Sequence, residues 1–267
     1  MYEKWKGVHT RCAFNMIQEL IPLTRPRTLA ATLGPTILGA AFSYYAFGAA
    51  QGTGLAIFHT MLIFLAVVTA QIVANLWNEY KDFKSGLDAG QKVGNAGSIT
   101  RGVITPELII TMIKVLMFVP IIIGLYLSAT ITWYYIPVGF LCILISFLYS
   151  GGPKPISRTP FGEISSGIAM GFAIVLITGY AWIRELSLAL LIPAIPSTLL
   201  VGSIMLTNNI RDIRNDESHG RHTLPIVLGR ERALSLMSIS YIFNFIWIIA
   251  WIIVCLLYTS PSPRDTR

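Results

Sequence analysis

Charge is what this 267-residue sequence has least of. Asp, Glu, Lys and Arg together make up 12% of it, against 54% hydrophobic residues, and the mean hydropathy is +0.64. Soluble domains carry about 25% charged residues. Half that share excludes an ordinary soluble domain and makes the lipid bilayer the solvent. Cysteine is scarce too: Cys12, Cys142 and Cys255. No pair has metal-ligand or disulfide spacing, and the last two lie in apolar runs, so buried small hydrophobes are expected rather than chemistry. A cleavable signal peptide is not expected either. Residues 1–27 are polar, broken by Pro22 and Pro26, and hold no apolar core ahead of a small-residue cleavage site. The first spanning helix is then expected to act as its own uncleaved signal. The net charge of +7 comes without a basic groove interleaved with aromatics, so nucleic acid is not an expected partner.

What is present is a series of apolar runs, each near the length that crosses about 30 Å of hydrocarbon. Seven spans are drawn at 28–48, 55–77, 107–128, 131–149, 162–183, 187–209 and 233–257. Continuous runs predict helices rather than the alternating strands of a barrel. The fold class is therefore an all-α, multi-pass transmembrane bundle. The connections alternate. Those near 49–54, 129–131 and 184–187 are short and carry a single basic residue, Arg184. Those at 78–106, 150–161 and 210–232 are long and rich in Lys and Arg, as is the N-terminal segment. The positive-inside rule puts the N-terminus and the long loops in the cytoplasm.

Finer features follow. Residues 12–24 predict a short interfacial helix that Pro22 and Pro26 terminate. Thr105, Pro106 and Glu107 read as N-cap, first helical position and first-turn acid. Trp133, Tyr134 and Tyr135 fit an interfacial belt. Lys114, two turns from a helix end, can snorkel, and Gly151-Gly152-Pro153 reads as a plain turn. His219 and His222 read as loop-surface residues, and His9 and His59 as residues without partners.

The chemistry concentrates in acids. Of 13 in the chain, Glu79, Asp82 and Asp88 form one group, and Asp212, Asp216 and Glu217 a second, with Glu231 nearby. Both groups extend a span through asparagines: Asn75 and Asn78 in the first, Asn208 and Asn209 in the second. If the first helix continues, Asn78 and Asp82 share a face, and Gly86 breaks the helix beyond them. Asp212 and Asp216 are four apart, so both carboxylates are expected to point the same way. Paired carboxylates with amide oxygens suit Mg²⁺, which adds waters and phosphate oxygens to one or two carboxylates. Two such sites ringed by Arg and Lys would hold a diphosphate, and apolar helices would hold its hydrocarbon tail.

Asn78-Glu-x-x-Asp82 with Asp88, followed by Asp212-x-x-x-Asp216, resembles the two acidic motifs of the UbiA superfamily of intramembrane prenyltransferases. Further blocks occur in order: Arg25-Pro-Arg-Thr-Leu, Tyr149-Ser-Gly-Gly-Pro-Lys-Pro-Ile, Asn208-Asn-Ile-Arg-Asp, and Gly220-Arg-His-Thr-Leu with Leu228-Gly. Together they resemble the 1,4-dihydroxy-2-naphthoate polyprenyltransferases of menaquinone synthesis. Glu79 stands where that family usually has Asp, and His222 where it more often has Arg.

The resemblance implies Mg²⁺-dependent transfer from a polyprenyl diphosphate to 1,4-dihydroxy-2-naphthoate with loss of CO₂, in the inner (plasma) membrane. It implies metal and diphosphate roles for Asn78, Asp82, Asp212 and Asp216, with Glu79 as a further metal ligand and Asp88 completing the first site. Substrate contacts are implied for Arg25, Arg101, Lys154, Asn208, Asn209, Arg211 and Arg221, and Tyr149, on the loop after span 4, would touch the acceptor or the reacting prenyl carbon. The family's nine spans against the seven drawn here lead to the expectation that residues 1–257 form a prenyltransferase domain lacking C-terminal helices, with 258–267 an artefactual tail. The rival readings are another acceptor such as 4-hydroxybenzoate, and, from a different class, a membrane transporter with its acids at mid-bilayer.

Overall fold

The computed structural model describes residues 20–86, 99 and 104–259. Among these, every regular element is helical. We number the helices α1 (Ala30–Phe47), α2 (Thr53–Ser85), α3 (Pro106–Thr130), α4 (Tyr135–Ser150), α5 (Gly162–Ile183), α6 (Leu191–Arg211), α7 (Ile213–Ser218), α8 (Leu224–Leu228) and α9 (Arg230–Thr259). A 3₁₀ turn, Pro26–Leu29, leads into α1, and another, Leu188–Leu190, leads into α6.

Helices stand in all seven segments drawn as spans. Five of them, α2, α3, α5, α6 with its 3₁₀ lead-in, and α9, are both long and apolar enough to cross a bilayer. The other two differ from the expectation. Helix α4 has 16 residues, short of the roughly 20 a full crossing needs, and α1 dilutes its apolar residues with Gly34, Pro35, Thr32 and Thr36. The chain is an integral membrane protein. Of the expected interfacial helix, residues 20–23 are helical, and residues 12–19 lie outside the described residues with Cys12 and His9. So do residues 260–267 of the expected tail, although the helix runs past Tyr258 to Thr259.

Local rules account for the boundaries. Thr105 caps α3 by accepting a hydrogen bond from the Leu108 N–H at 3.3 Å. Gly86 ends α2 in the left-handed region at φ 74°, which costs glycine little, and so stops the helix one turn beyond Asp82. Helix α5 loosens into a π-helical stretch over Gly167–Phe172, which lies against α6. There Gly171 has no room for a side chain, because a Cβ would sit 2.6 Å from the Thr198 Cα. Small residues of this kind let membrane helices approach at backbone distance.

Three apolar clusters hold the bundle. One joins Val73 and Leu76 of α2 to Ile109 and Ile113 of α3, a second joins Ile63, Ile123, Leu127 and Tyr135, and a third joins Ala56, Trp182 and Leu190. Three expectations fail here. His59 is buried and has a partner, the Gln51 amide at 2.9 Å, because Arg184, Gln51 and His59 tie the short loops together. Tyr135 is buried in the bundle rather than lipid-facing, and donates to the Ile177 carbonyl at 2.8 Å. Cys255 is exposed on α9 rather than buried, and Cys142 is half-buried.

Candidate functional site

The two acidic segments, 139 residues apart in sequence between Asp82 and Arg221, meet at one guanidinium. Helix α2 outlasts the hydrocarbon length and carries a polar face to its end. Gln71 donates to the Thr28 carbonyl at 2.8 Å, Asn75 to the Thr24 carbonyl at 3.0 Å, and Asn78 accepts from the Ser150 hydroxyl at 2.9 Å. Asp82 stands one turn further on. From the other side, α6 ends at Arg211, the chain turns at Asp212, and α7 starts. The turn after α7, with Gly220 at φ 68°, brings Arg221 back under Asp216.

Arg221 then bridges the two segments, 2.9 Å from Asp82 and 3.2 Å from Asp216. All three side chains are largely buried, at 13%, 14% and 4% exposed for Arg221, Asp82 and Asp216. The Arg221 Nε is buried with no hydrogen-bond partner among the described residues. Arg25 and Arg158 add positive charge within electrostatic reach of Asp82. Arg25 holds φ 50°, a conformation that side-chain-bearing residues seldom adopt. The Arg158 carbonyl accepts from the His222 N–H at 2.9 Å, so the loop after α4 is docked on the Arg221 loop. Burial pushes the Asp216 carboxyl above the ordinary carboxylate range, the Arg221 guanidinium pulls it back, and Asp212 and Asp82 add to the rise.

Two expectations are overturned. Asp212 and Asp216 do not present their carboxylates together. The helix breaks at Asp212, whose φ and ψ of −97° and 8° leave the helical region, and its carboxylate turns out to Arg211 at 2.8 Å. That pair is 69% and 44% exposed, while Asp216 faces inward. Tyr149 is also displaced from its expected loop: it lies in the last turn of α4, half-buried, and shares a side-chain hydrogen bond with Ser166. Of the other expected site residues, Glu79 is buried on α2, Arg25 is half-buried beside Asp82, Asn208 is half-buried and gives its carbonyl to the Asp212 N–H, and Lys154 is exposed. Asp88 and Arg101 lie outside the described residues.

Two participants were not singled out from sequence. Arg158 was one basic loop residue among many, and nothing in its spacing marked it. Glu163 did carry a signal, an acid within an apolar run. It is 4% exposed, and its Oε1 accepts from the Asn209 amide at 2.8 Å.

The donor chemistry fits a divalent cation. Among the described residues no three His, Cys, Asp or Glu side chains group as a cage. Mg²⁺ does not require one, since it takes one or two carboxylates and fills its shell with water and phosphate oxygens. Asp82 and Asp216 are two hard carboxylates already held around one positive centre, with the Asn78 amide oxygen one turn away. The surrounding arginines suit a polyanion.

Comparison with known proteins identifies the family. The chain is 38% identical over 246 residues to a Bacillus subtilis protein named 1,4-dihydroxy-2-naphthoate octaprenyltransferase, covering 90% of this chain and 75% of that one. It is 30% identical over 240 residues to the Mycobacterium tuberculosis protein of the same name, covering 87% of this chain and 80% of that one. In fold it is similar to a UbiA homolog from Archaeoglobus fulgidus bound to GPP and Mg²⁺, with a TM-score of 0.65, 17% identity, and 92% and 80% of the two chains covered. It is similar also to the apo UbiA homolog from Aeropyrum pernix K1, with a TM-score of 0.63, 19% identity, and 88% and 81% covered. Residues 33–263 match the UbiA prenyltransferase family. With two acidic helix ends joined at a buried arginine in an apolar bundle, and with these relatives, the chain belongs to the UbiA prenyltransferase family and is a prenyltransferase.

Proposed function

We propose that this protein transfers a polyprenyl group from a polyprenyl diphosphate to 1,4-dihydroxy-2-naphthoate, releasing CO₂ and giving a demethylmenaquinol. The observation that carries the reading is the Asp82–Arg221–Asp216 junction, a place where cation and diphosphate charges can balance beside apolar helices. The names of the Bacillus and Mycobacterium relatives support the naphthoate, and the Archaeoglobus homolog supports an allylic diphosphate with Mg²⁺.

In this reading Asp82 and Asp216 hold Mg²⁺, with Asn78, Glu79, Asp88 and Asp212 completing the two acidic segments. Bound there, the cation supplies positive charge against the departing diphosphate. Arg221 offers its unpartnered Nε–H to a phosphate oxygen, and Arg25 and Arg158 add charge beside it. Arg101, Lys154 and Arg211 remain proposed substrate contacts. As the allylic C–O bond breaks, its electron pair leaves with the diphosphate, and these fixed charges stabilise the separation. The apolar helices keep water from the allylic cation. Tyr149, hydrogen-bonded to Ser166, is the aromatic ring that this reading assigns to that cation. The carboxyl-bearing ring carbon attacks, and the ring–carboxylate bond then breaks, returning its electrons to the ring as CO₂ departs. The charge asymmetry of the loops supports a site on the cytoplasmic side of the inner membrane.

The test is a membrane assay with radiolabelled polyprenyl diphosphate, Mg²⁺, and either 1,4-dihydroxy-2-naphthoate or 4-hydroxybenzoate. A lipid product from the naphthoate alone, with stoichiometric CO₂, is expected. Transfer to the benzoate instead would overturn the acceptor.

A further inference from the structure

We infer that Glu163 recognises the aromatic acceptor, its Oε2 accepting a hydrogen bond from a ring hydroxyl. The inference rests on the prenyl-transfer reading above and adds to it the residue that orients the nucleophile.

A carboxylate inside an apolar helix is costly unless it is paired or put to use. Glu163 is half provided for. Its Oε1 takes the Asn209 amide, while Oε2 is buried with no hydrogen-bond partner among the described residues. Its position is also informative. A Cβ placed on Gly162 would lie 3.5 Å from the Tyr149 hydroxyl, and the Tyr149 partner Ser166 is on the next turn of the same helix. Tyr149 lies within electrostatic reach of Glu163 and of Arg221 and Arg25 alike. Glu163 therefore lies close to Tyr149, in the neighbourhood of the arginine junction.

Charge then selects what Oε2 can accept. A carboxylate repels a diphosphate, and it repels the carboxylate of an acid acceptor. What it attracts is a neutral hydrogen-bond donor. The acceptor offers two, its ring hydroxyls. A hydrogen bond from a hydroxyl to a carboxylate also pushes electron density into the ring, at the moment the ring carbon must attack a cation. The acceptor is thus held between opposite demands: its carboxylate toward the arginines, a hydroxyl toward Glu163.

The experiment compares wild type with Glu163→Gln in native membranes, using 1,4-dihydroxy-2-naphthoate and its two mono-O-methyl ethers. Glutamine keeps an oxygen for Asn209 and replaces the accepting Oε2 by an NH₂ donor. A lost hydrogen bond to a charged group is worth roughly 10- to 100-fold, so the acceptor KM should rise by about that factor. The KM for polyprenyl diphosphate should stay within about twofold. One methyl ether should be penalised in wild type by a similar factor and the penalty should largely vanish in the variant, which a merely structural role would not produce. An unchanged acceptor KM and an unchanged ether penalty would overturn the inference and leave the prenyl-transfer reading standing. An equal loss of diphosphate affinity, the mark of a structural role, would overturn it too. Failure of the wild type to prenylate the naphthoate would overturn both.

Discussion

Two arginine–aspartate pairs in this protein have nearly the same length and opposite surroundings, which makes alanine at each arginine a quantitative comparison. Arg221→Ala removes the cation shared by Asp82 and Asp216, which are 14% and 4% exposed. Removing one partner of a buried pair costs about 3–5 kcal/mol, because the remaining charge is left unpaired. Two carboxylates are stranded here, but a proton taken up by one of them relieves part of the repulsion, so about 3 kcal/mol is expected at neutral pH. Arg211→Ala breaks a 2.8 Å pair that is 69% and 44% exposed. Solvent and salt already screen that pair, and its loss is worth about 0–1 kcal/mol. The assay is thermal unfolding of detergent-purified protein with EDTA, then with Mg²⁺. Arg221→Ala should unfold well below wild type in EDTA and recover part of the difference in Mg²⁺, which would stand in for the missing cation. Arg211→Ala should track wild type in both. Equal losses for the two variants, or an Arg221→Ala protein as stable as wild type, would refute the reasoning.

Further outcomes are expected. Asp82→Asn should abolish prenyl transfer, and Asp212→Ala should do the same while leaving membrane insertion intact; near-normal product from either, scored by radiolabelled lipid, would remove that residue from the site. EDTA should stop turnover and Mg²⁺ restore it. Gly171→Ala should lower the unfolding temperature, because its Cβ would meet backbone atoms 2.6 Å away, an overpacking of about 1–3 kcal/mol; unchanged stability would mean that the close approach of α5 and α6 yields easily.

Hydropathy and loop charge located the helices because lipid leaves the backbone one common solution, and the apolar run records it. What hydropathy misses is how far a helix continues once it leaves the lipid. The apolar run of α2 ends near residue 77 but the helix reaches Ser85, which places Asp82 on a helix rather than a loop. The acidic pair in the second segment shows the opposite limit. Four-residue spacing implies a shared face only where the helix is unbroken, and the break at Asp212 sends the two carboxylates apart. That Arg221 joins the segments is a long-range fact, invisible to spacing, though its block was among those the resemblance marked. Glu163 is legible as an acid in an apolar run, but a lone acid carries no spacing that marks a site.

The central claim is that the two acidic segments act as one site. Titration of Mg²⁺ and inorganic diphosphate onto purified wild type, Asp82→Asn, Asp216→Asn and the double variant addresses it most directly. Groups that share one ligand are not additive. Each single variant should lose nearly as much affinity as the double. Losses that simply add would mean that Asp82 and Asp216 serve separate sites, and the account built on their meeting at Arg221 would fail.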